Sequence, residues 1–307
     1  MSLYLNWNGK KEDPFTDMED NWSDTARPNP FEIQASLIPN RNKFQYESAR
    51  GLVKIIEDIV DSGSAGVPFG FLYFRGLVDS EFDIIEEQLQ LVQLRSAVRF
   101  TFENSLNAAI LRIMPGPEHE KVGFCLVLEI VIKIASIPGH SHQSTVGVGA
   151  TRFKVPGVRS KEGDHGLHPD TRLGRDAWPS LMIEVGYSEG LNLLHLDARW
   201  WLINSQSKTR FVIIVKISRN PFAIHLECWR MAPTIGRQTR QTPAWSPTCV
   251  QEFHIDSDGV VVSPTTSLEL RIPYDCIFDR PSPNAQPIMF SFAELSNFAL
   301  RIFRMLE

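Results

Sequence analysis

The chain has 307 residues, a size for one large domain or two small ones, and 43 % of them are hydrophobic, enough for a sizeable core. Its 31 Lys and Arg against 36 Asp and Glu give a net charge of -5, which excludes a protein basic throughout, so any nucleic-acid contact needs a local basic groove. Cys125, Cys228, Cys249 and Cys276 are scattered without CxxC spacing, which speaks against a disulfide framework or a zinc ribbon and for a reducing compartment.

Residues 1–44 are polar, rich in Asn, Asp and Pro, and without sustained periodicity, and read as an irregular N-terminal arm. No secretion leader is apparent at the start, and the longest apolar stretch, 122–134, is interrupted by Glu129 and Lys133. The expectation is an intracellular protein of cytoplasm or nucleus with no membrane partner.

Residues 45–307 read as a single α/β domain. Leu52, Ile55, Ile56 and Ile59 recur at helical spacing over 46–61, a strand is expected at 69–77, and a second helix at 79–98. A strand at 107–114 ends at Pro115, and the helix 118–136 is apolar nearly all round, hence buried. Strand-like residues follow at 145–155 and in a short stretch ending near Asp170, then an apolar strand at 181–186, a helix at 191–204 and a strand at 210–217. Residues 230–247 read as a basic loop, followed by short strands at 252–255, 260–262 and 268–272 and an amphipathic helix at 292–306.

One acid stands out. Glu184 interrupts the run Leu181, Met182, Ile183, Glu184, Val185, and an unpaired carboxylate buried mid-strand is costly without a metal, a base or a partner. Asp170 lies fourteen residues earlier, a spacing at which two strands of a hairpin can bring both carboxylates together around a divalent cation. Asp164, His165, His168 and Asp170 offer a weaker zinc alternative without thiolates or helical spacing. No P-loop, dinucleotide glycine pattern or GxSxG is present.

Between 118 and 217 the order is helix, strands, helix, strand. With Pro169-Asp170, with Glu184-Val185-Gly186, and with the framing segments Ile113-Met114-Pro115-Gly116-Pro117-Glu118-His119-Glu120 and Pro179-Ser180-Leu181-Met182-Ile183-Glu184-Val185-Gly186-Tyr187-Ser188, the chain resembles the PD-(D/E)XK, restriction-endonuclease-like nuclease superfamily in its fungal form. The resemblance implies a mixed central sheet flanked by helices, with its core at 106–218 and N- and C-terminal extensions. It implies Mg²⁺ or Mn²⁺ held by Asp170, Glu184, the carbonyl of Val185 and Glu120, and hydrolysis of phosphodiester bonds in DNA.

The position two after Glu184, a Lys in that superfamily, is Gly186. Arg199 on the following helix and Lys216 in the next strand are the substitutes the resemblance suggests. The alternative is a catalytically inactive nuclease-like module that binds nucleic acid or a protein partner. Cations able to track phosphates are Lys154, Arg159 and Lys161 before the Asp170 strand, and Arg230, Arg237 and Arg240 in the basic loop.

Overall fold

The computed structural model describes residues 29–62, 70–113, 118–174, 177–187, 190–234, 245–265 and 267–307, a mixed α/β structure. The end of the expected arm is ordered. Helix α1 (Pro30–Leu37) opens on a capping box in which the Asn29 side chain accepts from the Phe31 amide and Glu32 reaches back to the Asn29 amide. Strand β1 (Lys43–Gln45) then pairs in parallel with β2 (Phe71–Arg75), on either side of helix α2 (Ala49–Ser62).

After α3 (Phe82–Leu91) the chain turns into β3 (Val98–Glu103), a stretch expected to lie at and beyond the end of a helix. Its alternation of Val, Phe and Thr suits a strand buried on both faces, and β4 (Ala108–Ile113) pairs antiparallel with it. With β6 (Arg152–Val155) and β7 (Arg159–Glu162) these strands make the first sheet, in the order β1-β2-β4-β3-β7-β6.

The second sheet carries the elements the sequence marked most clearly. Helix α4 (Glu118–Ala135) and strand β5 (Thr145–Val148) precede β8 (His165–Pro169), β9 (Leu181–Gly186), α5 (Leu191–Asn204) and β10 (Phe211–Arg219). Strand β9 runs antiparallel to β8 and parallel to β10, and α5 makes the crossover that a parallel pair requires. The two ends of the basic loop expected at 230–247 are strand, because β11 (Phe222–Pro233) and β12 (Trp245–Ile255) form a long antiparallel pair, while residues 235–244, with Arg237 and Arg240, lie outside the described residues. With β13 (Val261–Val262) the order is β13-β12-β11-β10-β9-β8-β5. Strands β14 (Glu269–Ile272) and β15 (Ile288–Ser291), with the short α6 (Tyr274–Ile277) between them, lead into the C-terminal helix α7 (Phe292–Leu306).

Period-two alternation sorts the second sheet into two faces. Leu181, Ile183 and Val185 join Ile213, Val215, Leu226 and Phe253 in one core, covered by Val122, Leu126 and Ile130 of α4 and by Phe298 and Ile302 of α7. Met182 and Glu184 point the other way, where Met182 packs with Val212, Ile214 and, from α5, Leu194 and Trp201.

The sheets meet where β7 passes into β8 through Gly163 and Asp164. A Cβ at Gly163 would lie 2.8 Å from Cζ2 of Trp201 and would collide with the end of Met182, so only glycine lets the chain pass this close to α5.

Candidate active site

The junction gathers charged side chains from both sheets. Beyond the pair His165–Ile183, the antiparallel register brings Asp164 opposite Glu184. Asp164 accepts from the Val185 amide at 2.9 Å and from the Arg112 guanidinium, which also lies 3.4 Å from Glu184 and 3.6 Å from Asp197 of α5. The second oxygen of Glu184 accepts from the Trp201 indole at 2.6 Å. Lys161, at the end of β7, donates to Asp197 at 2.7 Å.

At the outer end, Glu120 in the first turn of α4 pairs with Arg99 and lies 3.3 Å from Nε2 of His165. Arg99 is 3.9 Å from Asp164 and so links Glu120 to the inner acids. His165 sits against the helix because position 123 is glycine; a Cβ there would meet its imidazole. Glu120 is 44 % exposed while Glu184 is wholly buried, so the cluster runs from a partly open end to a dry one.

This gradient sets the proton affinities. Burial pushes the Glu184 carboxyl up to about 8, and Asp164 beside it adds to the rise; Lys161 and then Arg112 oppose it. Glu120 is held below the usual carboxylate range first by the neighbouring His165 imidazole, which outweighs the upward push of burial, and further by Arg99. Four carboxylates, Glu120, Asp164, Glu184 and Asp197, share Arg99, Arg112 and Lys161, and Glu184, wholly buried, is the one whose proton affinity rises most clearly.

Glu120 and Glu184 therefore belong to one cluster, as the sequence suggested, but Asp170 does not. Asp170 is exposed in the turn after β8, its amide bonded to the Ser144 carbonyl, and six residues of extended chain separate it from Asp164, about 20 Å. The acid opposite Glu184 is Asp164. Val185 meets Asp164 through its amide, whereas the sequence had offered its carbonyl as a ligand.

The expected substitutes for the missing Lys also lie elsewhere. The Arg199 guanidinium lies over the Trp229 ring of β11, 5.8 Å from its centroid, and the Lys216 ammonium is held by the carbonyl of Tyr187. The lysine that bears on Glu184 is Lys161, which sequence reasoning took only for a phosphate contact. Its signal was its place three residues before Asp164 on the same extended stretch.

The other cations of this stretch are paired as well. Arg152 and Lys154 both reach Asp79, at 2.7 and 3.4 Å, and Arg159 is 3.3 Å from Glu103. Ion pairs thus offset much of the positive charge expected to follow a nucleic-acid backbone.

The carboxylates of the cluster offer the hard oxygens that Mg²⁺ or Mn²⁺ takes, but among the described residues the three-residue groups whose ligand atoms lie within 4.8 Å of one another are elsewhere, at His225, Glu252 and His254 and at Glu227, Cys249 and Glu252. Arg112 would have to yield its hold on Asp164 and Glu184. No protein-family model matches the chain, and no curated protein is significantly similar to it. Among the described residues, no helix is long and apolar enough to cross a membrane.

Proposed function

We propose that the chain is a restriction-endonuclease-like, metal-dependent nuclease that hydrolyses phosphodiester bonds in DNA. The observation that carries this reading is the convergence of Asp164, Glu184 and Lys161, two carboxylates and one ammonium, where the two sheets part, with Glu120 at the open end. Asp164 and Glu184 would hold Mg²⁺ or Mn²⁺, with Glu120 beyond Arg99 toward the open end. The ion would supply Lewis acidity, lowering the pKa of an attacking water and offsetting charge on the phosphate.

The chain's own residues supply the rest. Asp197 orients the Lys161 ammonium, which stands in for the lysine absent at 186 and stabilises negative charge building on phosphorus. Trp201 fixes the carboxylate of Glu184, while His165 and Arg99 fix that of Glu120. The apolar wall of Met182, Ile214 and Trp201 keeps bulk water from the inner acids, which strengthens every charge interaction there.

Arg112 favours a second reading, a nuclease-like module that binds nucleic acid or a protein without cleaving. Its guanidinium sits among Asp164, Glu184 and Asp197 and already neutralises part of the charge a metal would neutralise. The two readings part in a cleavage assay on linear duplex DNA with Mg²⁺ or Mn²⁺. The nuclease reading expects cleavage that chelator abolishes, and a rate lowered about a hundredfold by Lys161→Met with DNA binding nearly unchanged. Wild-type protein that binds DNA but leaves it intact with either ion supports the second reading.

A further inference from the structure

A second cluster of metal-binding side chains lies on the β11–β12 pair, on the face turned away from the main core. The register sets His225 opposite His254 and Glu227 opposite Glu252. The intervening Leu226 and Phe253 face the core. Like residues directly opposite one another are unfavourable when both carry charge, and here the two like pairs adjoin on one face. Nδ1 of His225 lies 2.9 Å from Nδ1 of His254 and each imidazole reaches a carboxylate, so the four side chains form one polar cluster.

The distances are those of a metal-ligand set. Nε2 of His225 is 2.8 Å from Glu227 Oε1 and 3.7 Å from Glu252 Oε1, and Nε2 of His254 is 3.0 Å from the same Glu252 oxygen. In a tetrahedral zinc site with bonds of about 2.0–2.1 Å, neighbouring ligand atoms are about 3.3 Å apart, and these separations bracket that value. One ligand atom each from His225, Glu252 and His254 lies within 4.8 Å of the others.

The surroundings are those of a supported site. The far oxygen of Glu227 is 2.8 Å from His195 Nε2 of α5 and accepts from the Trp229 indole at 2.7 Å, which turns its other oxygen toward His225. Glu227 and Glu252 are buried, whereas His254 is 40 % exposed, so the group opens to solvent on one side.

We propose that His225, His254 and Glu252, with Glu227 beside them, bind a divalent transition cation, Zn²⁺ first. Two imidazoles and carboxylates select such an ion over Mg²⁺, which takes oxygen ligands and keeps its water. The site is distinct from the Asp164–Glu184 cluster and does not depend on the nuclease reading. Cys249 lies within reach of Glu227 and Glu252, so a thiolate set is the competing assignment.

The test is zinc binding by tag-free, chelator-stripped full-length protein, measured by competition with a chromophoric chelator, together with the visible absorption of bound Co²⁺. One equivalent of Zn²⁺ is expected at micromolar or tighter affinity, undisturbed by a large excess of Mg²⁺. His254→Ala, at the exposed ligand, is expected to weaken it at least about a hundredfold, and Glu252→Gln, which removes a buried charge without changing shape, also to weaken it. Cys249→Ser should leave it unchanged. Failure of the wild type to take up zinc, uptake indifferent to both His254→Ala and Glu252→Gln, or uptake lost in Cys249→Ser would each overturn the proposal.

Discussion

Arg112→Met is expected to destabilise the protein by about 4 kcal/mol, because it strands buried carboxylates that the guanidinium now holds together. The loss has a specific origin. Removing one partner of a buried ion network leaves the desolvation cost of the others uncompensated, whereas the methionine itself fills similar space. Urea unfolding reads it directly, as a lower midpoint with an unchanged slope. Mn²⁺ should restore part of the loss, since a divalent ion can then replace the missing charge between Asp164 and Glu184. A loss below about 1 kcal/mol would mean that the network contributes little, and a full loss untouched by Mn²⁺ would count against a metal site.

The second large effect is on pH dependence. In the folded protein the Glu184 carboxyl titrates near 8, well above its ordinary value, so between these limits the native state keeps a proton that the unfolded chain has released. Stability contributed by this proton is complete below the ordinary carboxylate range and is lost as pH rises toward and through 8. From pH 5 to pH 9, with chelator present, the wild type should lose about 4 kcal/mol through this group. Glu184→Gln keeps the shape and cannot ionise, so its stability should fall less and the difference between the two proteins should grow with pH. Parallel curves for wild type and variant would contradict the assignment of the proton to Glu184.

Much of the scaffold was legible because its signals are local. Helix α5 and the C-terminal helix α7 fall at the bounds that apolar periodicity gave, and α4 differs by one residue. Glu184 could be found because a carboxylate among four apolar neighbours is conspicuous whatever surrounds it. Strand β3 was left unassigned beyond Val98, where the expected helix ended, because this segment of Val, Phe and Thr has sheet partners distant in sequence.

The partner of Glu184 needed register, which local sequence does not carry. Asp164 and Asp170 lie on either side of the same strand, and the Pro-Asp pair drew attention to the wrong end. The length of the connection between β8 and β9 decides which acid faces Glu184, and that length follows from where pairing stops. Arg99 and Arg112 gave no local signal, because their roles exist only across the junction of two sheets. The mirrored triplets His225-Leu226-Glu227 and Glu252-Phe253-His254 went unread in the sequence, because a period of two places both ends of each triplet on one strand face but only the register sets the two triplets opposite each other.

The site assignment turns on Asp164, and the most direct measurement compares DNA cleavage by wild type, Asp164→Asn and Asp170→Asn under identical Mn²⁺ conditions. On the nuclease reading Asp164→Asn is expected to lower the rate by about a hundredfold to a thousandfold, because it removes a charge from the acid pair proposed to act on the phosphate. Asp170→Asn, exposed about 20 Å along the strand, should cleave like the wild type. Loss of cleavage in Asp170→Asn with activity kept in Asp164→Asn, or wild-type protein that leaves DNA intact, would contradict a hydrolytic centre at Asp164 and Glu184.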